Sequence, residues 1–203
     1  MRKMFGFALF ATAAASFTLA FAPATTAAQD KKTQPEIEVP YVPTHQKVVE
    51  AMLKLANVKE GETVYDLGCG DGRIVITAVG QFKAKKGLGI DFNPVRLKDC
   101  EASVKKAIEE KKLTDEQAKA LVFKQGDVLK MKPEEFKDVD VVTLYLLPEV
   151  NLRLKPTLQE GLKDGARIVS HDFDMGDWKA DKQEQVQADR NHTIYLWTIK
   201  KKK

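Results

Sequence analysis

A chain of 203 residues, 43% hydrophobic and 31% charged, is long enough for one α/β domain with a buried core and too apolar to be disordered. Its net charge of +4 becomes +2 without Arg2 and Lys3, because 31 basic residues then face 29 acidic ones. That balance gives no electrostatic basis for nucleic-acid binding, and two cysteines do not make a zinc site, so we expect no nucleic-acid partner and no metal.

The first 28 residues have the composition of a secretory leader. Arg2 and Lys3 precede an uncharged apolar run, and small residues follow it up to Ala28. This predicts a signal peptide cleaved after Ala28 and an exported or periplasmic domain. An uncleaved membrane anchor is the competing interpretation, since the apolar run approaches the length of a membrane span. Residues 29–40 are polar and contain proline, which predicts a linker before a domain at 41–203.

The rest of the chain alternates helices and strands. Thr44 is expected to cap a first helix whose apolar residues recur at helical spacing. Five apolar strands follow, with helices between most of them, and the chain ends in two strands joined by a tight polar turn. This order predicts an α/β fold with a parallel sheet closed by a hairpin. The predicted strands of the parallel part are 64–67, 87–91, 120–127, 139–147 and 166–173, and the predicted helices after the first are 73–82, 94–112 and 149–162.

A glycine-rich loop follows the first of these strands. Residues 64–73, VYDLGCGDGR, place three glycines at alternate positions, so that bare backbone can approach a ligand. Asp66 precedes the glycines and Asp71 lies before the last of them, and the two acids would repel a pyrophosphate but suit a ligand that carries a positive charge. The spacing G-x-G-x-G also differs from the G-x-G-x-x-G of dinucleotide-binding proteins.

Two further acids end the next two strands. Asp91 lies some twenty residues after the loop, where an acid accepts hydrogen bonds from a ribose diol. Asp127 follows Gly126 and is placed to accept from the exocyclic amine of a purine. Together with the loop, these acids predict a site for a nucleoside with a positively charged tail.

These stretches resemble the class I S-adenosylmethionine-dependent methyltransferases. VYDLGCGDGR is similar to their first motif, GIDFNP to their second-strand acid and KQGDVL to their third motif. The stretches PYVPTHQKVVEAML, LYLLPEVNLRLKPTL, SHDFDMGDW and YLWTI resemble more particularly the small protein-lysine methyltransferases of the ATP synthase c-subunit type.

The resemblance implies a three-layer, Rossmann-like fold whose mostly parallel seven-strand sheet has an antiparallel last strand. It also implies S-adenosyl-L-methionine as the cofactor and an upstream segment that folds over it. The fourth strand ends in YLLP and lacks the Asn-Pro-Pro-aromatic motif of enzymes that methylate nucleobase amines. The cofactor-binding residues that the resemblance implies are Tyr41, Thr44, Asp66, Gly68, Cys69, Gly70, Asp91 and Asp127.

Methyl transfer to a lysine requires that the amine first lose its proton, which a nearby carboxylate or histidine can assist. Glu149, His171 and Asp172 lie at strand ends and are the candidate catalytic residues. The alternative is that His171 is a hydrogen-bonded histidine at the edge of the site and that Asp172 forms a turn. Elsewhere we expect surface or capping histidines, free thiols and packing indoles, namely His45 and His192, Cys69 and Cys100, and Trp178 and Trp197.

Three functions are consistent with these features. The leading hypothesis is a methyltransferase that modifies a protein lysine, with possible membrane association through the N-terminal segment. A small-molecule methyltransferase is the second. The third is an exported, non-catalytic nucleoside-binding protein of the same fold, which the leader suggests because S-adenosylmethionine is made in the cytoplasm.

Overall fold

The computed structural model describes residue 1 and residues 41–201, which form five helices and seven strands. The predicted leader and linker, residues 1–40, lie outside the described residues apart from residue 1. In the described part of the chain, no helix is both long and apolar enough to cross a membrane. The helices are α1 (Gln46–Leu55), α2 (Arg73–Phe82), α3 (Pro94–Glu109), α4 (Asp115–Ala118) and α5 (Pro148–Gly161). The strands are β1 (Thr63–Leu67), β2 (Lys86–Asp91), β3 (Leu121–Gln125), β4 (Val141–Leu144), β5 (Arg167–His171), β6 (Lys182–Gln187) and β7 (Asn191–Thr198).

The seven strands form one sheet in the order β3-β2-β1-β4-β5-β7-β6. The pairs among β1 to β5 are all parallel, whereas β7 runs antiparallel to both of its neighbours. The predicted fold, including the antiparallel last strand, is therefore confirmed. The strand order reverses beside β1, and ligands of open α/β sheets bind at the carboxyl ends of the strands near such a reversal.

Two apolar clusters cover the two faces of the sheet and make three layers. On one face, α1 to α4 supply the residues that pack on β1, β4 and β5. On the other face, α5 packs with the 3₁₀ turns Val128–Lys130 and Pro133–Phe136 against the same strands. All four residues of β4 are buried because both of its faces are covered, as its apolar run predicted.

Truncation of a β4 side chain tests this packing. Leu144 is 0% exposed and packs in the cluster with α5, so Leu144→Ala is expected to lower the free energy of unfolding by about 2–5 kcal/mol. Leu152→Ala on α5 is the control, because that side chain is 44% exposed and should cost less than about 1 kcal/mol. Urea unfolding of both variants measures the difference, and equal losses would contradict the assigned core.

Some element ends differ from those predicted. The fourth strand stops at Leu144, because Pro148 begins α5 and the chain must leave the sheet before it. The third helix ends at Glu109 instead of 112, and the short α4 with its Thr114 capping box was not predicted. Thr44 does not cap α1: His45 does, since its Nδ1 accepts a hydrogen bond from the Lys47 amide at 3.2 Å.

Candidate active site

The glycine loop lies at the carboxyl ends of β1, β2 and β4. The Gly68 and Cys69 amides both donate to the Ile90 carbonyl, at 2.8 and 3.0 Å, so the loop is anchored to the end of β2. Gly70 has a φ of +55°, and a Cβ there would lie 2.5 Å from Cε2 of Tyr41. The loop therefore needs glycine at this position for both conformation and space.

Asp66 offers a buried carboxylate oxygen to this site. The side chain is 2% exposed, and its Oδ1 accepts a hydrogen bond from the Thr143 hydroxyl at 2.6 Å. Its Oδ2 is buried without a hydrogen-bond partner. Burial raises the pKa of Asp66 to about 7, although Thr143 acts in the opposite direction. Such an orphaned acceptor is costly unless a ligand donates to it.

Asp71 does not share this role, contrary to the sequence interpretation. Arg73 binds its carboxylate in a fork, with Nε–Oδ1 at 2.9 Å and Nη2–Oδ2 at 2.5 Å. Although burial raises the pKa of Asp71, the hydrogen bond and charge of Arg73 outweigh burial and lower it. Asp66 thus supplies the unpaired carboxylate beside the loop, and Asp71 instead fixes Arg73, which donates to the Thr44 carbonyl at 2.8 Å.

Asp91 joins the loop to the end of β2. Its Oδ2 accepts from the Gly70 amide at 2.8 Å and its Oδ1 from the Asn93 amide at 2.9 Å. Each oxygen keeps a second lone pair, so binding of a ribose diol stays a compatible prediction. The sequence analysis missed Phe92, whose ring is 68% exposed beside this acid and offers a flat face on which a purine can stack. An aromatic residue directly after a strand-end acid was the available signal.

Asp127 lies next to Asp91 but has a local structural contact. Its Oδ1 accepts from the Leu129 amide at 3.0 Å and so caps the turn Val128–Lys130. The Gly126 amide donates to the Asp91 carbonyl at 2.9 Å, which brings the ends of β2 and β3 together. Hydrogen bonding of Asp127 to a purine amine stays a prediction.

The segment before α1 covers the loop, as the resemblance implied. The Tyr41 ring lies against Gly70, and the Arg96 guanidinium lies 4.3 Å from the centroid of that ring. Thr44 is 4% exposed, and its hydroxyl lies 3.1 Å from Nδ1 of His171. Tyr41 therefore lies close to the glycine loop, and Thr44 lies close to the end of β5.

The three candidate catalytic residues differ in accessibility. His171 is 1% exposed with both ring nitrogens engaged, by Thr44 and by Nδ1 of His192 at 2.8 Å, and burial lowers its pKa to about 4. Asp172 accepts from the Thr193 amide at 2.9 Å and pairs with Arg190, in a left-handed turn with φ +59°. These contacts match the structural alternative considered for both. Glu149 is exposed in the first turn of α5.

The remaining side-chain interpretations are mostly confirmed. His192 is the exception: it is 4% exposed and not on the surface, because the antiparallel pairing of β7 places it beside His171. The side chains that behave as expected are the capping His45, the free thiols Cys69 and Cys100, and the packing indoles Trp178 and Trp197.

A seven-strand sheet of this order, with a glycine loop after β1 and carboxylates at the strand ends, defines a class I methyltransferase that uses S-adenosylmethionine. Residues 66–182 match the ANTKMT methyltransferase domain. The chain belongs to this family and is an enzyme.

Similar proteins include a curated lysine methyltransferase that the match covers almost completely. A protein-lysine N-methyltransferase of Saccharolobus islandicus (strain REY15A) is 40% identical over 162 residues, which cover 79% of this chain and 94% of that protein. The human lysine N-methyltransferase named for the ATP synthase c-subunit is 28% identical over 151 residues, 70% of this chain, and the chain spans only 55% of that protein. A crystal structure titled RNA methyltransferase from Salinibacter ruber, in complex with S-adenosyl-L-homocysteine, has 42% identity and a TM-score of 0.67, and the match covers 79% of this chain and 95% of that one.

The residues present fit S-adenosylmethionine, which supplies an electrophilic methyl group when bound. The orphaned Oδ2 of Asp66 suits the positively charged methionyl end, and the bare backbone of the loop permits close approach. Asp91 holds the Gly70 amide in place, and the Tyr41 ring lies against the loop at Gly70. The chain thus binds and orients the cofactor.

Proposed function

We propose that the enzyme transfers the methyl group to the side-chain amine of a protein lysine. The observation that carries this proposal is the 40% identity to a protein-lysine N-methyltransferase, over 79% of this chain and 94% of that protein. The end of β4 supports it. Tyr145 follows β4, and Phe173, which follows the neighbouring β5, has a ring nearly parallel to that of Tyr145, with 6.3 Å between centroids and 20° between planes. Aromatic faces attract ammonium groups.

Transfer from a sulfonium is an in-line displacement, so the enzyme contributes mainly by alignment. Holding the amine on the line of the S–CH₃ bond contributes roughly 7–11 kcal/mol to such reactions. The lysine must arrive without its proton, and Glu149, which is exposed in the first turn of α5, is the acceptor that solvent reaches most readily among the three candidates.

RNA methylation is the second candidate, because the Salinibacter structure, at 42% identity, is titled an RNA methyltransferase. The near balance of acidic and basic residues argues against it, since nucleic-acid binding depends on an excess of basic groups. The YLLP sequence after β4 likewise argues against methylation of nucleobase amines.

Labelled-methyl transfer separates these substrates. We expect the purified full chain to move label from S-adenosylmethionine into the protein fraction of an extract, and acid hydrolysis of that fraction to yield methylated lysine. Asp91→Ala should reduce the incorporation by at least about 100-fold, because the anchor of the Gly70 amide is lost, and Asp181→Asn on the surface should not.

Other distributions of the label would contradict the lysine proposal. Label in RNA alone would favour the second candidate, and label in small molecules alone would favour a small-molecule methyltransferase. Cofactor binding without any incorporation would favour a non-catalytic binding protein.

We also propose that residues 1–28 direct export, and that, if uncleaved, they attach the domain to a membrane. The basic start, the apolar run and the small residues before Gln29 support this. A reporter active only outside the cytoplasm, fused after Ala28, should be active, and the mature protein should begin at Gln29. An inactive fusion together with an intact N-terminus in the cytosolic fraction would exclude both.

A further inference from the structure

Three groups that are able to bind a metal lie together at the carboxyl end of β5 and the start of β7. Nε2 of His171, Nδ1 of His192 and an oxygen of Asp172 all lie within 4.8 Å of one another. The two nitrogens are 2.8 Å apart, and Asp172 Oδ2 lies 3.4 Å from the first and 3.7 Å from the second. A tetrahedral Zn²⁺ with bonds of about 2.0–2.1 Å separates its ligand atoms by about 3.3 Å. The distances to Asp172 are close to this value, and the two nitrogens would move apart by about 0.5 Å to admit the ion.

The outer nitrogens of both imidazoles are already held. Nδ1 of His171 lies 3.1 Å from the Thr44 hydroxyl, and Nε2 of His192 lies 2.9 Å from Oδ1 of Asp189. Metal-binding histidines are oriented by such partners on the nitrogen that does not face the metal. Here these partners leave Nε2 of His171 and Nδ1 of His192 facing each other across 2.8 Å.

The ligands are buried and include one carboxylate. The side chains of His171, His192 and Asp172 are 1%, 5% and 14% exposed. Arg190 now pairs with the Asp172 carboxylate, but its own side chain is 51% exposed and can turn into solvent. The aspartate would then neutralise part of the charge of a cation.

A bound ion would take the place of the proton that lies between the two imidazoles. With a neutral His192 whose Nε2 donates to Asp189, Nδ1 of His192 accepts, and the proton of the short contact then lies on Nε2 of His171. When an ion binds Nε2, that proton moves to Nδ1, and Thr44 changes from donor to acceptor. No proton need be released, and every group keeps a partner.

We propose that His171, Asp172 and His192 bind a tetrahedral transition-metal ion, for which Zn²⁺ is best suited, with a water in the fourth position. The proposal is independent of the acceptor. The ion joins β5 to β7 and, through Thr44, fixes the segment that lies over the glycine loop. Sequence analysis predicted no metal because it counted cysteines and placed His192 on the surface.

Calorimetry with Zn²⁺ on the untagged, chelator-treated full chain tests the site. We expect one ion per chain in the wild type and binding at least about 10–100-fold weaker in His192→Ala and in Asp172→Asn. The second variant should fold, because asparagine tolerates the left-handed φ of +59° at this position. His45→Ala, at the exposed cap of α1, is the matched histidine control and should bind as the wild type does.

Arg190→Ala distinguishes an ion site from a hydrogen-bonded network. It removes the cation that competes for Asp172, so Zn²⁺ should bind several-fold more tightly, and bound Co²⁺ should give the visible spectrum of a tetrahedral complex. Absence of binding in the wild type would overturn the proposal. Wild-type affinity in both His192→Ala and Asp172→Asn would also overturn it, as would weaker binding in Arg190→Ala.

Discussion

Asp66→Asn is expected to abolish binding of S-adenosylmethionine while making the ligand-free protein more stable at about pH 8. The carboxylate is 2% exposed with an unpartnered Oδ2, so its charge stabilises the bound ligand and destabilises the ligand-free fold. Loss of this charge should weaken binding of the cofactor by at least about 100-fold, because a neutral amide cannot replace a carboxylate in an ion pair at a buried site. Calorimetry with the cofactor and urea unfolding of the ligand-free protein measure the two effects.

The pH dependence gives the sign of the stability effect. The pKa of Asp66 is 3.8 in its ordinary state and about 7 in the fold. The folded state therefore binds the extra proton between about pH 4 and pH 7, and wild-type stability falls as pH rises through that window, by up to about 4 kcal/mol. The buried amide N–H of the asparagine costs about 1–3 kcal/mol, so a net gain of about 1–3 kcal/mol remains at about pH 8 and none at about pH 5.

The same titration should appear in the cofactor affinity of the wild type. Between about pH 6 and pH 8 affinity should rise as Asp66 ionises, and S-adenosylhomocysteine, which lacks the sulfonium charge, should respond less. A variant with wild-type affinity, or a stability difference that does not change with pH, would be incompatible with this role of Asp66.

Gly70→Ala is expected to eliminate cofactor binding through steric conflict. The new Cβ would lie 2.5 Å from Cε2 of Tyr41, so the ring must move from its place against the loop and from its contact with the Arg96 guanidinium. The residue also has a φ of +55°, which costs a non-glycine residue about 1–2 kcal/mol. We expect an affinity loss of at least about 100-fold, measured by calorimetry.

Gly61→Ala is the matched control for this substitution. Gly61 has a φ of +84° in the turn before β1, and a Cβ there meets no atom within 4 Å. It should therefore lose about 1–2 kcal/mol of stability and keep wild-type cofactor affinity. If both alanine variants bind the cofactor equally well, the close contact of the loop with Tyr41 has no part in binding.

The order of elements could be predicted because the signals are local. The apolar run before the glycines gave β1, and the end of α2 at Phe82 matched the prediction. The end of β4 could not be predicted, because the apolar run continues to Leu147 while the chain has already turned toward the site at Tyr145.

Much of the site depends on contacts between distant parts of the chain, which no local pattern contains. His192 has the polar neighbours of a surface residue, yet the pairing of β7 with β5 buries it against His171. The orphaned oxygen of Asp66 arises because β4 places Thr143 beside only one of its two oxygens. The pairing of Asp71 with Arg73 is short in range, but the sequence does not show which of the two acids, Asp66 or Asp71, stays free for the ligand.

The central claim is that the glycine loop after β1 binds a cationic adenosine compound. Competition calorimetry on the full chain tests this claim most directly. Each chain should bind one molecule of S-adenosylmethionine. Neither ATP nor NAD should displace it, because the unpaired Asp66 carboxylate repels phosphates. Tight binding of ATP or NAD in place of S-adenosylmethionine would contradict the claim.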